Sequence, residues 1–545
     1  MNSSSAGFEA EYDVVVIGGA LSGAATAILL QRENPGIRIL IVERTEKMSR
    51  KVGEATVEVS AYFLGRVLGL TQYLNETQIA KQGLRFWFAN DEVKSLAESS
   101  EVGPRYLARL PSYQLDRSKV DEEVLQRAVA GGAKLVRPAI VKNVELQEGG
   151  LQQVDIRLNE RIHTVKARWV VDASGMAALL SRKNGWWRAN TEHPTASAWA
   201  RWKGVKDWDC HALAKKYPQW ASVCHGIRGT ATNHVIGDGW WSWWIPLKGG
   251  DVSVGIVFDQ RLVDWPEGGR LGDRIKDFLL KHPVGQEMLA EAQYQEDDVL
   301  WRRNLPYYST TYCGDGFVLV GDAAAFLDPF YSPGMDWISY TATSAAHLIT
   351  QQRMGKPMVE LIVKHNRDFR VSYERWFKSL YKDKYHYIGE YDLLRLAFRM
   401  DLGLYYWGVV ESVFREGQAG LTHPPFSPLT GRLFSGLMST YNARFAKIAR
   451  RRRRLGLLGQ KNKGMRDLVM GYQLERKNML QIFSLLRQWA LLELREGWRT
   501  WFTHEEPGCV GKPKILLPAG SGSGSGSGSN NRPNTKPDMP QPTTP

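Results

Sequence analysis

Cysteine is scarce in this chain: there are four in 545 residues, Cys210, Cys224, Cys313 and Cys509, and no C-x-x-C pair. Such isolated positions offer neither a disulfide framework nor a zinc site, so reduced thiols and no bound metal are expected. Long apolar runs are missing as well. No stretch of about 18 uncharged apolar residues occurs, and the mean hydropathy is −0.34, which predicts no transmembrane segment. The opening MNSSSAGFEAEYD has no basic n-region and no apolar h-region. No signal peptide and a cytoplasmic location are therefore expected. There is no internal repeat.

The composition, 43% hydrophobic and 23% charged, suits a large globular core in two or three lobes. Net charge is +14, and much of the excess lies in ARRRRRLGLLGQKNKG at 449–464. Its five successive arginines, 450–454, read either as a solvated face or as a dock for an acidic partner or anionic lipid.

The ordered chain opens with YDVVVIGGALSGAATAILL (12–30) and IRILIVE (37–43). These read as strand, glycine turn, small-residue helix and second buried strand, one βαβ unit on a parallel sheet. A helix is predicted over 118–132 and a β-meander over 141–175. Trp-rich β-formers over about 185–310 predict a second sheet. GFVLVGDAAAFLDPFYSPGMDWISYTATSAAHLITQQ (316–352) returns as strand, turn and long helix. A helical region follows over 356–510, and the Gly/Ser/Pro-rich 511–545 is expected to be a disordered tail.

GGALSG at 18–23 is a G-x-G-x-x-G fingerprint with Ala20 at the middle glycine. Gly18 and Gly19 form the turn, and Gly23 lets helix meet strand. Ser22 lies on the first helical turn, whose N-terminus faces a pyrophosphate. Glu43 ends the second strand, 20 positions after Gly23, where an acid binds an adenosine ribose. These residues predict a dinucleotide site.

Three later segments resemble the glutathione-reductase-type FAD proteins and imply FAD rather than NAD. YQLDRSKVDEEVLQRAVAGGAKLV (113–136) would place Arg117 near the flavin. RWVVDASG (168–175) resembles their second nucleotide-contacting strand and turn. GFVLVGDAAAFLDP (316–329) resembles the motif whose aspartate, here Asp322, binds the ribityl chain. The expected fold is α/β, a glutathione-reductase-type FAD-binding domain over 10–355 with an inserted substrate-side β-sheet and the C-terminal helical region.

That fold hosts several chemistries, so local motifs must choose. WWSWWIPL (240–247) puts four tryptophans in five residues. Its Trp241, Trp243, Ile245 and Pro246 fit W-x-W-x-I-P, and the chain resembles the flavin-dependent halogenases of the non-tryptophan subgroup. On a strand, Trp241, Trp243 and Ile245 share a face; the resemblance implies that they wall a tunnel between flavin and substrate. AKQGLRFWF (80–88) resembles the family's K-x-G-x-x-F and implies Lys81 as catalytic lysine. VGEATVE (52–58) would border the flavin ring. In DPFYSPGMD (328–336), Ser332, Pro333 and Gly334 would sit at the halide, with Gly334 and Met335 supplying amides to flavin and anion. Tyr331 stands where the free-tryptophan halogenases carry a glutamate, which points to a self-activating substrate such as a phenol.

The resemblance implies FAD, used as FADH2, with O2 and chloride or bromide. A flavin hydroperoxide would oxidise the halide. A separate NAD(P)H-dependent flavin reductase would supply the reduced cofactor. The substrate would be a small electron-rich aromatic, free or bound to a carrier protein; no nucleic-acid partner is expected. The alternative is an FAD-dependent aromatic monooxygenase, which shares the FAD motifs but needs neither Lys81 nor W-x-W-x-I-P.

Overall fold

The computed structural model describes residues 8–108, 110–224, 226–427, 429–469 and 477–502. Cys509 and the tail expected at 511–545 lie outside the described residues. Cys210, Cys224 and Cys313 are free thiols. No helix among the described residues is long and apolar enough to cross a membrane.

The first sheet grows from the continuous apolar run Glu11–Ile17. Its side chains from Val14 to Ile17 are buried on both faces, as a central parallel strand requires. It pairs in parallel with Ile39–Val42 on one side and with Arg161–Asp172 on the other. Lys134–Val136 and Phe317–Leu319 extend the sheet outward. Ile140–Glu145, Gln152–Leu158 and Arg161–Asp172 form the expected meander. Helix Leu21–Glu33 is buried over Leu21 to Leu30, because its Ala- and Gly-rich start allows close approach to the strand.

The second sheet is wider in origin than the predicted 185–310. Its order is Gln293–Arg303, Thr195–Lys203, Val252–Asp259, Trp240–Pro246, Thr232–Gly237, Leu84–Phe88, Ser100–Pro104 and Arg466–Val469. Leu84–Phe88 and Ser100–Pro104 arrive from the N-terminal half. Arg466–Val469, from the region predicted to be helical throughout, pairs in parallel with Ser100–Pro104. The sheet has core on both sides. Trp241, Trp243, Ile245, Ile236 and Phe86 join the large core shared with the first sheet. Trp240, Trp244, Val235 and Trp87 join a second core closed by helices Leu271–Leu280 and Pro283–Leu289. Alternation on one strand thus explains the four tryptophans: two serve each core.

Three of the five arginines pair with carboxylates of the chain, and Arg452 among them is buried. Arg452 is 4% exposed. It donates to Glu390 (2.6 Å), to both Asp392 oxygens (2.8 and 2.9 Å) and to Glu496 (2.8 and 2.9 Å). Arg450 pairs with Asp383 and Arg453 with Asp238. Arg452 therefore ties the helix Leu429–Arg454 to the start of Tyr391–Tyr405. Arg452→Met is expected to cost about 3–5 kcal/mol, because it leaves the buried Glu390 without its cation; a lowered midpoint in urea unfolding checks this.

Candidate active site

The glycine turn has the geometry a dinucleotide needs. Gly18 sits at φ +99°, and a Cβ there would lie 2.6 Å from the Ala173 carbonyl oxygen. A Cβ on Gly23 would lie 2.0 Å from the Gly18 oxygen. Both positions exclude a side chain. Ala20 has φ −68° and ψ −177°, extended backbone that an alanine adopts without strain. The helix it opens has no side-chain cap and no acid in its first turn, so its N-terminal amides are left for an anion. Glu43 is buried; its Oε2 accepts the Gly19 amide at 2.8 Å and its Oε1 accepts Thr45 Oγ1 at 2.7 Å. Ser22 packs against the Gly321 turn, where a Cβ would meet Ser22 Cβ at 3.1 Å. The first and third motifs therefore abut.

Beyond this turn a cleft of about 160 Å³ opens beside the second sheet. Its lining brings together Arg117, Asp322, Ser332, Pro333, Gly334, Met335, Trp241, Trp243 and Ile245, with backbone and side chains of 52–55. Pro246 ends the tryptophan strand, opposite Val252, and is not part of the lining.

Arg117 opens the helix Arg117–Ala130 and is fixed by Asp121, with Nε–Oδ1 2.8 Å and Nη2–Oδ2 3.1 Å. Its Nη1 also donates to the Gly53 carbonyl at 3.3 Å. Asp322 lies in a 3-10 turn, Gly321–Ala323, rather than capping a long helix. Its carboxyl faces the cleft, and burial pushes its pKa up to about 6 against the pull of Arg117. Glu54, paired with Arg201 at 2.7 Å, is pushed up to about 7 by burial.

The tryptophan face is held from behind. Trp241 Nε1 donates to Tyr385 Oη (2.6 Å), and Tyr385 donates to Asp328 (3.0 Å). Asp328 also meets His193 Nε2 at 2.9 Å. Trp243 Nε1 donates to Ser253 Oγ (3.1 Å). Both indoles are thereby fixed with their polar edges satisfied and their faces left apolar.

Tyr331 and Ser332 both adopt left-handed backbone, φ +68° and +58°, a strained pair that turns the chain sharply into helix Pro333–Arg353. The Ser332 amide donates to the Pro329 carbonyl at 2.9 Å, and Pro333 has no N–H. The free amides of this helix end are those of Gly334 and Met335. A Cβ on Gly334 would meet nothing within 4 Å, so the space beside it is open.

Lys81 is 2% exposed. Its Nζ donates to the Thr56 carbonyl at 2.8 Å, one residue from the cleft-lining Ala55. Burial lowers its pKa to about 8, partly opposed by the negative charge of Glu58 and Asp336. Asp336, one residue beyond Met335, accepts the Ser60 amide (2.9 Å) and Tyr405 Oη (2.8 Å) and is pushed up to about 7 by burial.

Sequence reasoning missed Glu58, Asp336, Tyr385 and His234. His234 lines the cleft on the strand Thr232–Gly237, directly opposite Trp243 and beside Phe86 in the register. The pairing was open to deduction: Asp238-Gly239 marks a tight hairpin turn, and counting back from it sets His234 against Trp243.

Three kinds of observation fit FAD: glycines that admit no Cβ, an uncapped helix end, and a cleft carrying Arg117 and Asp322. Together they fit an FAD-binding site. A family model described as FAD dependent oxidoreductase matches residues 13–236. Flavin-dependent halogenase chlA of Dictyostelium discoideum is 27% identical over 363 residues, covering 60% of this chain and 58% of its own. A 1H-pyrrole-2-carbonyl-(peptidyl-carrier protein) chlorinase of Pseudomonas fluorescens is 26% identical over 422 residues, 71% of this chain and 85% of that protein. The crystal structure of halogenase PltM aligns with TM-score 0.66 at 18% identity, covering 88% of this chain and 96% of that one, a likeness of fold. The chain is similar to flavin-dependent halogenases, matches the FAD dependent oxidoreductase model over residues 13–236, and its cofactor is FAD. It spans 58% of the length of the Dictyostelium relative.

Proposed function

We propose that this protein is a flavin-dependent halogenase acting on an electron-rich aromatic, phenolic substrate. The observation that carries the reading is convergence. The fixed tryptophan face and the open helix end at Gly334 and Met335 line one cleft, and the buried amine of Lys81 donates to the Thr56 carbonyl, one residue from the lining Ala55. Bound reduced FAD supplies, with O2, the two-electron oxidation of halide to hypohalous acid, for the balance FADH2 + O2 + ArH + X⁻ + H⁺ → FAD + ArX + 2 H2O.

The chain's own residues do the rest. Gly334 and Met335 amides hold chloride or bromide. Trp241, Trp243 and Ile245, none of them an acid or a base, keep arene and cofactor apart. Lys81, low in pKa for a lysine, takes up the oxidised halogen as a haloamine or hydrogen-bonds the hypohalous acid, and presents it to the ring. Position, rather than strong acid-base chemistry, is what the site supplies. The reduced cofactor comes from a separate NAD(P)H-dependent flavin reductase, and the arene is either free or carried on a partner protein.

The test uses purified protein, FAD, a flavin reductase, NADH and O2 with bromide and a panel of phenols, pyrroles and indoles. The expected product carries the bromine isotope pair in its mass spectrum and disappears when bromide is withheld. A gain of one oxygen, indifferent to halide, would instead identify an aromatic monooxygenase.

A further inference from the structure

His234 is 3% exposed and lines the cleft. Its Nδ1 lies 3.1 Å from the Ser242 carbonyl oxygen. A carbonyl only accepts, so Nδ1 carries the proton and Nε2 is a bare lone pair. Nε2 has no hydrogen-bond partner among the described residues. Burial, then the charge of Lys81, holds the imidazole neutral, with its pKa down to about 3. Aromatic rings pack round it: Phe86 stacked at 5.3 Å, Trp241 edge-on at 5.2 Å and Phe330 at 6.2 Å. A buried acceptor left without a donor is destabilising, and a hydrophobic residue would fill this aromatic corner without that cost.

We propose that His234 Nε2 accepts a hydrogen bond from the aromatic substrate's own ring donor, a phenolic O–H or a pyrrole-type N–H, and so orients the ring toward Lys81. The inference rests on the halogenase reading and adds a specificity determinant to it. An imidazole that stays neutral accepts the bond without taking the proton, and the donor's lone pair stays conjugated with the ring that must attack the halogen. An arene whose donor is methylated keeps its shape but leaves Nε2 unpaired, so the site rejects it.

The test measures binding to the FAD-loaded protein by calorimetry, without turnover. The probes are two matched pairs, 4-methylphenol with 4-methylanisole and pyrrole with N-methylpyrrole. In wild type the free donor is expected to bind about tenfold or more tightly than its methylated partner. A gap in the first pair alone assigns an O–H donor, and a gap in the second an N–H donor. His234→Phe should erase the gap, and His234→Gln, which returns an acceptor near the Nε2 position, should restore part of it. Wild-type ¹⁵N imidazole spectra give a readout that needs no variant: one unprotonated ring nitrogen should shift with the free donor and not with the methylated probe. No gap in wild type, or a gap that survives His234→Phe, overturns the inference; so does an imidazole spectrum indifferent to the probe, which leaves only a buried water on Nε2. Because these arms need no halogenation, they fail separately from the proposed function, which falls if no probe is halogenated in the turnover assay.

Discussion

Lys81→Met should lower product formation by about a thousandfold or more while leaving FAD bound, the scale at which positioned proton-transfer and nucleophilic groups act. The same substitution should raise stability at neutral pH. The Lys81 pKa falls from an ordinary 10.5 to about 8. A lysine whose folded pKa lies below its unfolded value destabilises the fold at every pH below the folded value. That cost is relieved as pH climbs from about 8 to 10.5, where the unfolded state binds more protons than the folded one. The size is roughly 3 kcal/mol at 1.36 kcal/mol per unit. Methionine fills similar volume without the charge, so its thermal midpoint should exceed wild type at pH 7, and the difference should shrink toward pH 10. In wild type, if the neutral amine carries the halogen, the rate should rise as pH passes about 8. A rate that falls through the same pH would assign the halogen to hydrogen bonding by the ammonium instead. A Lys81→Met enzyme with wild-type turnover would remove Lys81 from the chemistry altogether.

Gly18→Ala should be nearly as damaging, by another route. The backbone there has φ +99°, and the new methyl would stand 2.6 Å from the Ala173 carbonyl oxygen. That oxygen belongs to the chain directly after the strand Arg161–Asp172, hydrogen-bonded in register with Glu11–Ile17, so neither side can yield without moving the centre of the first sheet. The conformational strain alone is about 1–3 kcal/mol, and the collision adds to it. The expected outcome is purified protein with little flavin absorbance at 450 nm and a thermal midpoint lowered by several degrees. Gly436→Ala, on the helix Leu429–Arg454 and outside the cleft lining, is the control, since a methyl there meets nothing within 4 Å; its fold and FAD content should match wild type.

Motifs whose geometry is local were legible from sequence. Gly18, Gly23 and Glu43 lie within one strand-turn-helix-strand unit, and their roles depend on spacing along the chain. The tryptophan strand was equally readable, because alternation fixes which residues share a face. Residues whose meaning comes from distant partners were not. Tyr385 matters through Trp241 and Asp328, and Asp336 through Ser60 and Tyr405, pairings that no local pattern announces. Arg452 shows the opposite failure: in sequence it is one of five surface-like arginines, yet three carboxylates from elsewhere in the chain bury it. The strand Arg466–Val469 escaped notice because four residues between helices have no periodicity to read.

That short strand has a role outside catalysis. An eight-stranded sheet with tryptophan on both faces would make a dangerous template if its lateral hydrogen-bonding groups were left free, since any unfolded neighbour could add to it. The two margins are guarded differently. At one, Gln293–Arg303 carries Glu296, Asp297, Asp298, Arg302 and Arg303 and breaks register beside Ala200 and Trp202, so an incoming strand meets charge and irregularity. At the other, Ser100–Pro104 has few charges, and Arg466–Val469 covers it. The C-terminal region thus supplies the outer strand of a tryptophan-rich sheet, and that strand begins with the charged pair Arg466 and Asp467.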